Sequence, residues 1–488
     1  MSFVSDLEPQ SLWKHFDEIL SIPRPSKHEE GMRRYVLGLA ERKGYRWRED
    51  SVGNLVIEKP ASPGKEGAPI VVLQSHLDMV TEKNSDVTFD FARDPIAPRR
   101  DGEYVKASGT TLGADNGIGV AAMLAVLEAD DLVHGPLELL FTVDEETGLT
   151  GVGALEPDAI ALKGRILLNL DSEEEGAVTI GCAGGSTSRL IVPIETGPPP
   201  AGTTLAGIGL SGLLGGHSGM EIHLQRGNAV KLLARALFAA FQKVPFRLVS
   251  FQGGNKHNAL PREAEAFLLV ESGRVEELSR ALDAEVQALA CEYPGEPLTV
   301  RDAVAVGSSS STDPVWTEET SRKVLDLLNA LPHGVLAMSR DIPGLVETST
   351  NLAAVSQQDG ALSILISNRS SVNSAMKATR RRLHAFASLA GARIEENEGY
   401  PGWKPNLESP VLTRFREVHR RVLGQDPELR AIHAGLECGV IGEKFSGMDM
   451  ISFGPEILGA HSPDERVKVD TVGRFYGLLG EVLKELAG

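Results

Sequence analysis

The sequence contains few cysteines. Cys182, Cys291 and Cys438 are the only three among 488 residues, and no two of them form a CxxC pair. An odd and sparse set of this kind excludes a disulfide framework and a thiolate zinc site. We therefore expect a protein of a reducing compartment, which by default is the cytoplasm.

The sequence also lacks a surplus of basic residues and any long apolar run. It has 67 acidic residues against 49 Lys and Arg residues, which gives a formal net charge of −18. A surface that binds phosphate must be positive, so no nucleic-acid partner is expected. No stretch of about 18 apolar residues without charges occurs, which predicts no membrane partner. The N-terminal residues lack the basic and apolar regions of a secretory signal.

The chain is too long for one ordinary domain, and its pattern changes twice. With 488 residues, 42% of them hydrophobic, two or three domains are expected. Apolar strands alternate with amphipathic helices up to about residue 182, which predicts an α/β domain with a mostly parallel sheet. A stretch rich in Gly, Thr and Pro then opens a long α+β insertion. We predict a first α/β part over 1–184, the insertion over 185–399, and the second α/β part over 400–488.

Side chains that can bind metal follow several predicted strands. The features are His76 and Asp78 in "IVVLQSHLD", Asp144, Glu145 and Glu146 in "LELLFTVDEE", Asp171 in "RILLNLD", His461 in "MDMISFGPEILGAHSPDE", and Asp115 before a helix in "TLGADNGIG". In open α/β sheets, ligands bind at the carboxyl ends of the strands. We therefore expect these side chains to meet in one crevice.

The chemistry of this set favours divalent metal ions. Histidine nitrogens and carboxylate oxygens without thiolates suit zinc, with cobalt or manganese as substitutes. Two ions would supply four positive charges to carboxylates that no Lys or Arg accompanies in these motifs. Two ions bridged by one carboxylate are the usual two-metal arrangement for hydrolysis.

The spacing within two motifs suggests separate roles. His76 and Asp78 are two apart on a strand, so both side chains point to one face, and Asp78 can accept the second ring N–H of His76. In the acidic run, one of Glu145 and Glu146 can bind metal while the other takes a proton from water.

Each of these features also has an ordinary structural explanation. A histidine and an aspartate at a strand end are most often structural, and Asp115 beside glycines is, on its own, better explained as a helix N-cap. A run of three acids is usually a solvated turn, and His461 could be a loop histidine with satisfied hydrogen bonds. The joint occurrence of all of them in this order is much more specific than any one of them.

Together the motifs resemble those of a metallopeptidase family, the aminoacyl-histidine dipeptidases or cytosol non-specific dipeptidases. This family belongs to a wider group of di-zinc peptidases and aminoacylases with a lid domain. The resemblance runs over nearly the whole chain and is carried by "SHLDMV", "TLGADNGIGVA", "DEETGLTGVGAL", "LLNLDSEEEG", "GGHSG", "HAGLECG" and "GAHSPDE".

The resemblance implies a role for each metal-site residue. His76, Asp115 and Asp171 would hold one zinc ion of each subunit, and Asp115 would bridge to a second zinc ion. The second ion would also be held by Glu146 and His461. Asp78 would orient His76, and Glu145 would be the general base for a water between the two ions.

The resemblance also implies substrate-binding residues, for which alternatives stay open. His217 in "GGHSG" would donate to the oxyanion, although a turn histidine is the ordinary interpretation. Asn258 and Arg369 would hold the substrate, Arg369 by its terminal carboxylate; without the family, Arg369 would be a surface strand residue. Glu437 could meet the α-amino group of a dipeptide or equally form a structural salt bridge. His257 receives no role, and neither does Asp144 beyond that of a turn acid.

The function implied is hydrolysis of small peptides by a dipeptidase of broad specificity, with Xaa-His dipeptides among the candidate substrates. The first alternative is an aminoacylase or tripeptidase on the same scaffold. A second is a non-catalytic, metal-dependent peptide-binding protein, against which an intact Glu145 argues. The insertion over 185–399 would be a lid that closes over substrate, and it could also be the surface of a homodimer.

Overall fold

The computed structural model describes residues 2–308 and 314–488, and of residues 301–308 it describes the backbone alone. The chain forms two compact units. One contains Met1–Cys182 and Trp403–Gly488, and the other is Ala183–Gly402. The second unit therefore interrupts the first in the sequence, and it covers the region for which the insertion over 185–399 is predicted.

The strands alternate with helices in the first unit and follow one another more closely in the second. In chain order they are β1 (Arg46–Glu49), β2 (Leu55–Lys59), β3 (Val71–His76), β4 (Pro98–Asp101), β5 (Tyr104–Ala107), β6 (Leu137–Thr142), β7 (Ile166–Asn169), β8 (Ala177–Cys182), β9 (Gly184–Pro193), β10 (Thr196–Gly197), β11 (Thr203–Ser211), β12 (Phe246–Gly253), β13 (Ala264–Glu271), β14 (Thr299–Ser308), β15 (Val315–Trp316), β16 (Gly334–Met338), β17 (Val346–Gln358), β18 (Ala361–Ser370), β19 (Arg393–Glu396), β20 (Glu428–Ile432), β21 (Asp449–Ser452), β22 (Ile457–Leu458) and β23 (Arg466–Lys468).

The α-helices of the described residues range from one turn to about five. They are α1 (Gln10–Ser21), α2 (Glu30–Lys43), α3 (Ala114–Glu128), α4 (Thr150–Ala154), α5 (Pro157–Ile160), α6 (Ala229–Phe241), α7 (Val275–Glu292), α8 (Glu318–Ala330), α9 (Asn373–Ala390), α10 (Pro410–Leu423), α11 (Glu437–Lys444) and α12 (Val469–Ala487).

The first unit is built on a mixed sheet with a parallel centre. Its order over the described strands is β1-β2-β6-β3-β7-β21-β8-β20. Strands β6, β3, β7 and β21 are parallel neighbours, as are β8 and β20, whereas β1, β2 and β6 pair antiparallel. Every residue of β3 and β6 is buried, which is typical of central strands covered on both faces.

Helix α3 is the core helix of this unit. Nearly all of its residues are buried, including the run Gly117–Leu127, so it has no solvent-facing stripe. It packs against β3 and α1. The helix therefore holds the segment "TLGAD", which contains its own first two residues, close to the carboxyl end of β3.

The second unit is an antiparallel sheet covered by helices. The order of its described strands is β14-β11-β13-β12-β17-β18-β9-β19, with β16 paired to β17. Buried and partly exposed residues alternate along β11, so one face of the sheet packs on a core and the other does not. Leucines of α6, α7, α8 and α9 fill that core.

The predicted fold class, an α/β domain with an α+β insertion, is confirmed. The sequence patterns did not indicate the small antiparallel sheet of β22, β23, β5 and β4, whose strands are two to four residues long. Among the described residues, no helix is long and apolar enough to cross a membrane.

Candidate metal centre

The predicted ligands of the first unit follow the carboxyl ends of three adjacent parallel strands. In the sheet, β3 lies between β6 and β7, with His76 beside Thr142 and Gln74 beside Asn169. Chain segments that leave these strand ends therefore start at the same edge. His76 ends β3, the acids of residues 144–146 follow β6, and Asp171 follows β7.

One group of ligand atoms forms around His76. Its Nε2 lies 3.1 Å from Oδ1 of Asp115 and 3.3 Å from Oδ1 of Asp171. Ligand atoms of these three residues all lie within 4.8 Å of one another. Asp115 has a non-helical backbone conformation within α3, with φ −78° and ψ 113°. Its carboxylate faces histidine rings, with Oδ1 3.1 Å from Nε2 of His76 and Oδ2 3.1 Å from Nε2 of His461, and these contacts are not those of a helix cap.

A second group forms around His461. Its Nε2 lies 3.1 Å from Oδ2 of Asp115 and 3.0 Å from Oε2 of Glu146. These three residues also offer ligand atoms within 4.8 Å of one another. Asp115 thus belongs to both groups, with one carboxylate oxygen toward His76 and the other toward His461.

Asp78 supports both groups through hydrogen bonds to its two carboxylate oxygens. Its Oδ1 lies 3.2 Å from Nδ1 of His76 and accepts the backbone N–H of Glu145 at 3.0 Å. Its Oδ2 accepts the hydroxyl of Ser26 at 2.7 Å and the backbone N–H of Glu146 at 3.2 Å. Burial alone would raise the pKa of Asp78, but these donors, His76 above all, lower it to about 2. One ionised carboxylate therefore fixes His76 and the backbone of both glutamates.

Glu145 lies beside these groups with an unengaged carboxylate. It offers a ligand atom close to His76 and Glu146. No hydrogen bond or ion pair to another described residue holds its side chain. Burial raises its pKa well above the ordinary value; His76 opposes this, while Asp171, Glu146 and Glu437 add to it. The side chain is thus partly buried beside the proposed ligands, without a hydrogen-bond partner among the described residues.

The charge balance of the cluster fits divalent cations. Oε1 of Glu146 is buried without a hydrogen-bond partner. Hydrogen bonds that the His461 ring donates to Asp115 and Glu146 raise its pKa to about 11, and burial raises the pKa of Asp171. Both shifts favour the protonated form of these two groups, because several carboxylates lie close together. An oxygen and nitrogen donor set of this kind, with a shared carboxylate, suits a pair of cations.

Comparison with known proteins identifies the family of the chain. The model of the peptidase family M20/M25/M40 matches residues 72–485. The chain belongs to this family. It is 43% identical over 486 residues to the cytosol non-specific dipeptidase of Escherichia coli (strain K12), covering 100% of this chain and 99% of the relative.

Two solved structures are similar to this chain over 99% of its length. The crystal structure of aminoacylhistidine dipeptidase from Vibrio alginolyticus matches with a TM-score of 0.91 and 43% identity, covering 99% of this chain and 98% of that chain. The aminopeptidase PepT from Bacillus cereus matches with a TM-score of 0.58 and 17% identity, covering 99% of this chain and 100% of that chain. The second match shows the fold alone.

Glu437 lies at the start of α11 in a buried polar network. Its Oε2 accepts hydrogen bonds from Gln74 and, at 2.7 Å, from Thr142, whereas its Oε1 has no partner. Burial raises its pKa to about 8, against the effect of His76. Among the described residues no Lys or Arg forms a salt bridge with it, so the network consists of neutral donors around one carboxyl group.

Asp144 is buried and bonded within its own turn. Thr147 donates a hydroxyl to it at 2.7 Å, and the hydroxyl of Thr150 also donates to it. Glu29 accepts the backbone N–H of Asp144 at 3.0 Å. Glu29, Asp78 and Asp144 form a third acidic group within 4.8 Å, but each of them already accepts protein donors. Asp144 therefore shapes the turn that carries Glu145 and Glu146.

The three remaining predicted residues belong to the second unit. His217 pairs with Ala259 in an isolated bridge, and the N–H of Ser218 donates to the carbonyl of Asn258 at 2.8 Å. Burial lowers the pKa of His217, and the nearby charge of Arg369 lowers it further. Nε of Arg369 is buried without a hydrogen-bond partner.

Some supporting residues escaped the sequence patterns. Ser26 and Glu29 lie in the loop before α2, and only their contacts with Asp78 and Asp144 reveal their place. In the second unit, Asn351 donates to the carbonyl of Ala259 at 2.9 Å and so holds the segment that contains Asn258. Glu29 and Asn351 are buried and Ser26 is partly buried. The burial of a polar residue is not visible in the motif spacing of one sequence.

Proposed function

We propose that this protein is a metal-dependent dipeptidase of broad specificity, with Xaa-His dipeptides among its substrates. The observation that carries the proposal is Asp115, which faces His76 and His461 with different oxygens while Glu145 stays free beside them. Membership of a peptidase family and 43% identity to two dipeptidases support it.

We assign the ligands of two zinc ions to the two groups. His76, Asp115 and Asp171 would hold one ion, and Asp115, Glu146 and His461 the other, with cobalt or manganese as substitutes. When bound, the two ions would polarise the peptide carbonyl and supply positive charge for the developing oxyanion.

Glu145 is the proposed general base. It accepts the proton of the attacking water, and it then returns this proton to the leaving amine as the peptide bond breaks. Its free carboxylate and its position beside His76 and Glu146 support this role. Asp78 orients His76 and, through two backbone N–H groups, the segment that carries Glu145.

His217 is the proposed donor to the oxyanion. The backbone N–H of Met220 donates to its Nδ1 at 3.1 Å, so the proton of the neutral ring lies on Nε2. The lowered pKa of His217 favours this neutral form. A neutral ring with its proton on Nε2 can donate a hydrogen bond to the oxyanion that develops during the reaction.

Arg369 and Asn258 are proposed to hold the carboxyl-terminal part of the dipeptide. The unpartnered Nε of Arg369 supports a charge-assisted bond to the terminal carboxylate. At the other end, the free oxygen of Glu437 supports the predicted contact with the α-amino group. Recognition of both termini would restrict the enzyme to very short peptides.

The second unit is proposed to be the lid. The substrate-binding residues His217, Asn258 and Arg369 all belong to it, whereas the proposed metal ligands belong to the first unit. X-ray scattering with and without a non-hydrolysable dipeptide analogue would test closure, and identical profiles would contradict it. The same unit could form a homodimer, and the name of the Escherichia coli relative supports a cytosolic location.

An assay of matched substrates separates dipeptidase from the alternatives. Zinc-loaded protein is given dipeptides, tripeptides and N-acetyl amino acids that share one carboxyl-terminal residue. The proposal expects the highest kcat/KM for dipeptides. Faster turnover of N-acetyl amino acids would indicate an aminoacylase, faster turnover of tripeptides a tripeptidase, and tight binding without hydrolysis a binding protein.

A further inference from the structure

We propose that Glu465 is a positioning residue that fixes Asp115 between the two metal sites, with the buried Arg24 as its counter-charge. The proposal rests on the proposed function, because Asp115 matters in this way only if it is the shared ligand. Neither residue carries an assigned role in the metal-site motifs, and both are only 2% exposed.

Glu465 binds the backbone of the loop that presents Asp115. Its Oε2 accepts the N–H groups of Leu112 and Gly113 at 2.7 and 2.8 Å. Its Oε1 accepts those of Ala114 and Asp115 at 2.7 and 3.2 Å. Four consecutive N–H groups thus converge on one carboxylate, which fixes the course of the chain up to Asp115.

The segment that carries Glu465 also carries His461. The N–H of Glu465 donates to the carbonyl of Ser462 at 3.0 Å, which closes a turn just after His461. Residues of this one segment therefore contact Asp115 twice. Glu465 holds its backbone, and Nε2 of His461 faces its Oδ2 at 3.1 Å. A shift of Glu465 would move the carboxylate of Asp115 relative to both histidines.

Arg24 connects the same loop to the end of β3. Its Nη1 donates to the carbonyls of Leu77 and Asp78 at 3.0 and 2.5 Å, and its Nη2 donates to the carbonyl of Gly113. Gly113 thus gives its carbonyl to Arg24 and its N–H to Glu465. Arg24 therefore joins the segment that follows His76 to the loop before Asp115, and Glu465 joins that loop to the segment of His461.

The carboxylate form is essential to this arrangement. Both oxygens of Glu465 accept two N–H groups each, so an acceptor is needed on either side. A glutamine has the same shape but presents an NH₂ group on one side, where it would face two N–H donors. Outer-shell partners of metal ligands typically change metal affinity about 10- to 100-fold when they are replaced.

Glu138 provides a matched control in the same unit. It is also 2% exposed and accepts the backbone N–H groups of Lys163 and Gly164 at 2.9 Å each. Arg48 donates to it at 3.3 Å. Glu138 lies near the start of β6, at the opposite end from the candidate metal centre. Glu138→Gln therefore removes comparable hydrogen bonds without affecting the loop of Asp115.

The test measures zinc affinity of the full chain by competition with a chromophoric chelator, together with the thermal midpoint of the metal-free protein. We expect Glu465→Gln to lose about 10- to 100-fold in zinc affinity, whereas Glu138→Gln lowers the midpoint alone. Wild-type zinc affinity in a folded Glu465→Gln protein would overturn the positioning role.

Two milder variants cover the case in which Glu465→Gln does not fold. Glu465→Asp keeps the charge but is one methylene shorter, and Arg24→Lys keeps the charge but loses the fork that spans three carbonyls. Both are expected to weaken zinc binding, and unchanged affinity in both would overturn the proposal. Failure of the wild-type protein to bind zinc or hydrolyse dipeptides would instead reject the proposed function.

Discussion

The carboxylate of Asp78 accepts the backbone N–H of Glu145 at 3.0 Å while it holds Nδ1 of His76 at 3.2 Å. A proposed metal ligand and the proposed general base therefore share one buried support. The distance between the end of β3 and the turn after β6 is set by this residue. The positions of the proposed ligands therefore depend on residues, such as Asp78, that are not themselves proposed ligands.

Replacement of Asp78 by asparagine should damage metal binding and catalysis together. The asparagine side chain would keep the shape but present an NH₂ group toward N–H donors, so kcat/KM and zinc affinity should each fall about 10- to 100-fold. Ser26→Ala is the control, because it removes only one of the four donors. An Asp78→Asn protein with unchanged zinc affinity and kcat/KM would refute the shared support.

Glu145 and Glu146 should respond differently to the same substitution. Glu145→Gln should lower kcat about 10²- to 10⁴-fold, since the proton acceptor is lost, and leave the zinc content at the wild-type level. Glu146→Gln should lower the zinc content, because it removes a proposed ligand. Metal analysis of both purified variants, with kcat at saturating dipeptide, checks this pair. The reverse pattern would exchange the roles of the two residues.

Zinc binding to the metal-free protein should release protons. Burial lowers the pKa of His76, but Asp171, Asp115 and Asp78 outweigh it and raise the pKa well above its ordinary value. The pKa of His461 is raised to about 11. These raised pKa values favour the protonated form of both rings near neutral pH without metal. Both rings must lose a proton to bind zinc, so the zinc affinity should rise with pH throughout the range below these pKa values. Calorimetry in buffers of different ionisation enthalpy would detect the released protons. A zinc affinity that is independent of pH would contradict the prediction.

Arg369 should determine the preference for a free terminal carboxylate. Arg369→Met removes the charge and should reduce kcat/KM for a dipeptide about 10- to 100-fold, which corresponds to about 1.5–3 kcal/mol for a bond to a charged group. The matching dipeptide amide should be affected little. Equal losses for the dipeptide and its amide would show that Arg369 acts on the fold rather than on the substrate.

Gly113 should tolerate no side chain. Its φ is +73°, and an added Cβ would collide with Nη2 of Arg24 and lie 2.9 Å from Sδ of Met79. Gly113→Ala should therefore destabilise the metal-free protein by about 1–3 kcal/mol. Gly153→Ala is the control, because a Cβ there meets nothing within 4 Å. Equal thermal midpoints for the two variants would contradict the tight approach of Arg24.

The sequence allowed the fold class and the meeting of the ligands to be predicted, because both follow from strong local signals. Buried strands such as "LELLFT" are continuous apolar runs, and parallel strands bring their carboxyl ends to one edge. His76, Glu146 and Asp171 therefore lie together as expected. The roles assigned to them remain predictions.

The supporting residues could not be predicted in the same way. Glu465 contacts Leu112 across about 350 positions of sequence, and Arg24 contacts Gly113 across about 90. Such contacts depend on how loops pack, which local periodicity does not encode. "SIPRPSKHEEG" and "GAHSPDE" contain these residues, but a buried charge cannot be distinguished from a surface charge by its letter alone.

A zinc titration of the metal-free wild-type protein tests the central claim most directly. Release of free amino acids from a dipeptide is followed while zinc is added in fractions of one equivalent. A two-metal dipeptidase is expected to be inactive without metal and to reach full activity at about two equivalents. Hydrolysis by the metal-free protein at the rate of the zinc-loaded protein would contradict the account, as would no hydrolysis at any zinc concentration.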